Sequence, residues 1–127
     1  MITGVVTAKR EATIPLSVRG PTGQMTEIEA VIDTGFTGLL TLPIAIVRSL
    51  DLPWRGQAQA MLGDSTLHQF DVYSATVIWD GTARLVEVDA ADPTALVGMG
   101  LLYGHDLHIQ IVEGGTVTIA ALPVRSA

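Results

Sequence analysis

The chain has 127 residues, 48% of them apolar and 16% charged, with thirteen glycines, six prolines, no cysteine and a formal charge of −6. This size and balance suit one turn-rich globular domain spanning 1–127 and do not suit a disordered chain. The acidic surplus argues against nucleic acid or an anionic membrane as partner, and the missing thiols remove disulfides, a cysteine nucleophile and cysteine-ligated zinc.

The N-terminal "MITGVVTAKREATIPL" has no positive region followed by an apolar core and cleavage site, so it does not read as a signal peptide. No charge-free apolar run reaches membrane-spanning length, and a cytoplasmic location is the expectation. "TGVVTAKR" and "TIPLSVRG" read as strands, and "GPTGQ" as a turn. In "MTEIEAVID", Met25, Glu27 and Glu29 alternate with Thr26, Ile28 and Ala30 before Val31 and Ile32. That pattern suits a strand that starts half-exposed and ends fully buried, with Asp33 at its end. "LLTLP" follows as a short strand. "PIAIVRSLDL" is the one convincing helix, with Pro43 in its first turn and Ile44, Val47 and Leu50 at helical spacing.

"QAQAML", "GDS" and "TLHQFDVYSATVIW" make a hairpin with one long arm. "WDGTARLVEVDA" is the strongest hairpin signal, because Asp80-Gly81 suits a type I′ turn. "ALVGMGLLYG" is apolar and glycine-punctuated, and "LHIQIVEGGTVTIAAL" closes the chain as a hairpin around Glu113-Gly114-Gly115. Short strands with one clear helix point to an all-β barrel or sandwich.

Asp33-Thr34-Gly35 carries the chemistry. By average residue usage this tripeptide arises in a chain of such length at roughly a few per cent, so alone it reads as a turn. Its setting adds more: an apolar strand delivers the carboxylate, Thr34 offers a hydroxyl, and Gly35 lets backbone and substrate come close. A carboxylate in such surroundings must be hydrogen-bonded or share a proton, which is what acid–base work on a peptide bond requires.

"VIDTGFTGLLTLP", followed about sixty residues later by "ALVGMGLL", resembles the retropepsin-like aspartic proteases, in particular their small single-domain prokaryotic members. The resemblance runs in order and spacing from about Thr13 to Ile119. It implies an acid-protease barrel with one or two short helices. Leu96-Val97-Gly98 would be the segment threading beside the Asp loop, and Leu101-Leu102-Tyr103 would open a short helix. It further implies an aspartic endopeptidase acting on peptides or proteins, without a cofactor, in which two aspartates share one proton and activate water.

Only one such loop is present. Asp51 follows the helix, Asp64 and Asp80 lie in turns, and Asp89 and Asp92 lie just before Pro93. The dyad therefore calls for a homodimer with Asp33 from each copy on the axis, and the resemblance implies that Thr34 bonds across it. The terminal segments "ITGVV" and "TVTIAAL" are candidates for an intersubunit sheet. The flap falls between Ala60 and Phe70, with Met61, Leu62, Gly63, Asp64 and Ser65 as the substrate-pairing tip. Leu62, Leu67 and Ile78 are candidates for apolar subsites.

Three positions depart from the family pattern. Phe36 stands where a small residue is usual, leaving Thr37 as the substitute hydroxyl; the flap candidate carries only Gly63 at its tip, which implies a stiffer flap; and Gly100 stands where related bacterial sequences often have an Asp. The rival reading is a retropepsin-like dimerisation or peptide-binding module with little or no proteolysis. His105 and His108 around Asp106 fall on opposite faces of a strand and lack a third ligand, so no metal site is expected. His68 reads as a solvated hairpin residue, and Trp54 and Trp79 as packing residues.

Overall fold

The computed structural model describes residues 1–61 and 64–123. In chain order the elements are β1 (Ile2–Val6), β2 (Ala12–Arg19), β3 (Met25–Ile32), β4 (Leu40–Leu42), α1 (Ile44–Ser49), β5 (Trp54–Met61), β6 (Leu67–Trp79), β7 (Thr82–Ala90), β8 (Leu96–Val97), α2 (Met99–Leu102), β9 (His105–Ile109) and β10 (Thr116–Ala121). They form one ten-stranded mixed sheet in the order β5-β6-β7-β4-β8-β3-β2-β1-β10-β9. A further pairing of Ser17–Arg19 with Thr76–Ile78 joins β2 to β6 and closes β6, β7, β4, β8, β3 and β2 into a barrel.

The barrel follows from alternation. Ile14, Leu16 and Val18 on β2 are inward and buried, as are Leu40, Val77, Val88 and Val97 on the facing strands. Each such aliphatic side chain contributes about 1.5–3 kcal/mol of burial. Pro15 sits where β2 leaves β1, after Ala12–Thr13, and before it reaches β6. Thr41 is a buried polar group with both functions satisfied: its hydroxyl donates to the Thr94 carbonyl (3.2 Å) and accepts the Leu96 N–H (2.9 Å).

Several sequence expectations hold. The Asp80-Gly81 turn has positive φ at both residues, 51° and 79°, and joins Trp79 to its partner Thr82. The last hairpin pairs β9 with β10. Other expectations shift. The first strand stops at Val6, and residues 8–10 turn the chain instead, with the Arg10 N–H on the Thr7 carbonyl and Arg10 at φ 64°. Pro43 precedes α1 and offers its carbonyl to the Ile46 and Val47 N–H groups (3.0 and 3.1 Å). The Ile44 N–H at that helix end is taken by the Asp92 carboxylate at 3.0 Å. Val31 and Ile32 are half-buried, so β3 does not end fully buried.

The terminal segments are the main correction. β1 pairs with β10 within the chain, Ile2 opposite Ile119 through Val5 opposite Thr116, and β10 is covered on its other side by β9. β10 therefore has no free edge to give to an intersubunit sheet, whereas β1 is flanked on its second side by β2 only at Val5 and Val6. The sheet ends instead at β5 and β9.

Candidate active site

β8 lies between β3 and β4, parallel to the first and antiparallel to the second. This crossing holds Asp33. The Asp33 N–H bonds the Val97 carbonyl (2.9 Å), one step past the Ile32–Val97 pair. The half-buried carboxylate accepts the Gly35 N–H on Oδ1 at 2.9 Å, and the Asp33 carbonyl accepts the Phe36 N–H at 3.2 Å. Thr34 and Gly35 are exposed beside it. A Cβ on Gly35 would lie 3.3 Å from Asp33 Oδ1, so the glycine lets its amide close onto the carboxylate. Thr37 is exposed and does not bond the carboxylate among the described contacts; the backbone amide of Gly35 fills that part.

From the other side, the Gly98 N–H bonds the Leu39 carbonyl (2.9 Å), the Met99 N–H bonds that of Phe36 (2.7 Å), and the Gly100 N–H bonds that of Gly38 (2.9 Å). Gly98 can only be glycine, since a Cβ there would run into the Gly38 carbonyl oxygen and lie 2.5 Å from Phe36 Cδ2. At Gly100 a Cβ would stand 2.9 Å from the Gly38 oxygen, so an acidic side chain there needs the Asp loop to shift. The short helix begins at Met99, earlier than expected. Leu101 and Leu102 are its buried residues, and Tyr103 follows it, 86% exposed.

Strand alternation shows what faces Asp33. Val31, Leu96, Thr41, Asp89, Val72 and Gly56 form one registered row across β3, β8, β4, β7, β6 and β5, on the face opposite the Val97–Leu40–Val88 row. Asp33, two residues after Val31, shares that face. Val31 and Leu96 are half-buried and adjoin it, an apolar wall the sequence reading missed. The signal was present: each stands two residues from its loop's key position, Asp33 or Gly98.

The β5–β6 hairpin continues the same face outward. Ala58 pairs with Phe70 and Ala60 with His68, and Ala58, Ala60 and Phe70 are half-buried while Gln57, Gln59 and Gln69 on the reverse are exposed. Of the expected flap tip, Met61 is exposed and pairs with Leu67, and Asp64 and Ser65 form the turn; Leu62 and Gly63 lie outside the described residues. The Thr66 hydroxyl donates to Asp64 Oδ1 (2.6 Å) and lies 2.8 Å from His68 Nε2. That hydroxyl, with the Thr66 amide, holds the Asp64 carboxyl below its usual range.

No family model matches the chain, and no curated protein matches it in sequence. Among solved structures, a retropepsin-like aspartic protease from Rickettsia conorii superposes with a TM-score of 0.53, covering 95% of this chain and 91% of that one at 12% identity. The fold is retropepsin-like. At that identity the likeness establishes architecture alone.

Within the retropepsin-like fold the remaining expected residues scatter. Ile78 lies eleven residues along β6 from Leu67, roughly 36 Å of strand, beside Ser17 of β2. It cannot share a subsite with the hairpin tip. Trp54 is 60% exposed on the edge strand and donates to Asp71 (3.1 Å), so it is not a packing residue. Trp79 is one: it is buried, donates its indole N–H to His105 Nε2 (3.1 Å) and meets that ring edge-on. His105 is thus turned to Trp79, while exposed His108 contacts Asp106 at 3.2 Å. Among the described residues, no group of three or more His, Asp or Glu side chains is arranged to hold a metal ion.

Proposed function

We propose that this chain is an aspartic endopeptidase whose catalytic dyad forms from Asp33 of two copies. The observation that supports this most is the Asp33 loop itself. A strand end, a crossing strand and the Gly35 amide hold one carboxylate at the surface, on the sheet face that the β5–β6 hairpin continues, in a retropepsin-like fold. Two carboxylates meeting across an axis cannot both ionise; they share a proton and titrate as a unit. The ionised member takes a proton from water as it attacks the scissile carbonyl, and the protonated member donates to the carbonyl oxygen. Thr34, exposed next to the carboxylate, faces the partner loop.

An extended peptide adds as a strand between the loop and the β5–β6 hairpin. The Gly35 N–H is already used by Asp33, which leaves its carbonyl for the peptide main chain. Val31 and Leu96 supply apolar contact next to the scissile bond, and Met61, Asp64 and Ser65 lie at the covering end.

The test is cleavage of a denatured-protein or peptide library between acid and neutral pH, with and without a pepstatin-type inhibitor. Cleavage that is blocked by the inhibitor and lost in Asp33→Asn supports the reading. A folded dimer that binds peptides and cleaves none across that range replaces it with a peptide-binding module.

A further inference from the structure

We propose that Phe36 is the positioning residue of the Asp33 loop, a role that rests on the reading of Asp33 as catalytic. Its ring is wedged between two glycines from different segments. A Cβ on Gly38 would lie 2.5 Å from Phe36 Cζ and 2.6 Å from Cε1, and one on Gly98 would lie 2.5 Å from Cδ2. The ring thus covers the backbone of the Asp loop on one side and the end of β8 on the other, at distances only glycine permits.

The backbone of the same residue ties both segments. The Phe36 N–H bonds the Asp33 carbonyl, and the Phe36 carbonyl receives the Met99 N–H at the start of α2. The carboxylate itself is held by one short-range bond, from the Gly35 amide. Nothing in that bond fixes the loop relative to β8. Backbone bonds with Val97, Gly98, Met99 and Gly100 tie the loop to β8 and α2, and the ring fills the space between them, able to move neither toward Gly38 nor toward Gly98 without overlap. The Gly35 amide takes the place of a hydroxyl beside the carboxylate, and the space above Gly38 and Gly98 is what accommodates a bulky residue after Asp-Thr-Gly.

The two glycines separate the wedge from general packing. At Gly98 a new methyl would also meet the Gly38 and Phe36 carbonyl oxygens, so nothing done to the ring could rescue it. At Gly38 the three nearest atoms all belong to the Phe36 ring, and the third is already at an ordinary 3.5 Å. Removing the ring therefore makes room for a methyl at position 38.

The experiment compares Phe36→Ala, Phe36→Leu, Gly38→Ala and the double variant Phe36→Ala with Gly38→Ala, by thermal unfolding and by kcat, KM and pH profile on a peptide the parent cleaves. Gly38→Ala lowers Tm, and adding Phe36→Ala brings part of it back. Phe36→Ala stays folded but loses about ten- to a hundredfold in kcat, the scale of a misplaced reacting group, with KM within about twofold and an altered acid limb. Phe36→Leu restores most of kcat. An unchanged kcat and pH profile in Phe36→Ala overturns the positioning role. A Gly38→Ala protein with parental Tm, or a double variant less stable than Gly38→Ala, overturns the wedge. A parent that cleaves nothing removes the catalytic reading and the positioning role with it, while the Tm comparison still decides the wedge.

Discussion

Asp89 and Asp64 show how differently one residue type behaves in this chain. Asp64 is fully exposed and kept ionised to lower pH by Thr66. Asp89 is half-buried between Thr41 and Val72, and burial, helped by the Glu87 charge two residues away, raises its carboxyl above the ordinary value. A raised folded-state pKa means the native protein binds this proton more tightly than the unfolded chain does. The resulting stability is full below the ordinary carboxylate range and is lost as pH rises through the folded value. Asp89→Asn is therefore expected to raise the denaturation midpoint at neutral pH, with the gain disappearing under acid conditions. Urea titrations at the two pH values check this. The conflict was invisible in the sequence, where Asp89 reads as a strand-end acid before Pro93; it arises only because β4 and β6 both pair with β7 at that position.

At the level of elements, local signals were legible and long-range pairings were not. The Asp80-Gly81 turn and the Glu113-Gly114-Gly115 hairpin rest on neighbours in sequence, and both formed where expected. The Asp loop and Leu96-Val97-Gly98 were legible because each motif carries its own glycine and apolar run. The β1–β10 pairing joins the two ends of the chain and leaves no local trace, which is why the terminal strands were assigned to a partner. Trp54 misled for a similar reason: its neighbours do not reveal that β5 ends the sheet. The crossing of β8 over the Asp loop also sets a sharp limit. Gly98→Ala places a methyl against two carbonyl oxygens and a ring, and is expected to cost more than about 3 kcal/mol, measured as loss of unfolding free energy in urea.

For the molecule as a whole, charge acts against self-association. Each chain carries −6, so a pair carries 2 × −6 = −12. Screening reduces that repulsion, and the dimer fraction in sedimentation velocity is expected to rise as salt goes from about 0.02 M to about 0.5 M. A dimer that instead dissociates with salt would mean that its interface is built from ion pairs. Two strands, β5 and β9, end the sheet, and the charged and imidazole side chains of His105, Asp106 and His108 lie on β9, a common device against indiscriminate edge pairing.

The position of β8 also bears on how the chain acquires its shape. Its two residues slot between β3 and β4, both of which are synthesised more than fifty residues earlier. Because Leu96 and Val97 fill that slot and the Val97 carbonyl accepts the Asp33 N–H, the Asp33 loop cannot gain its full set of partners until residue 97 has been synthesised. Such non-local closure belongs to the millisecond-to-second regime of folding. A chain interrupted before residue 96 would carry Asp33 on β3 without the strand that crosses it.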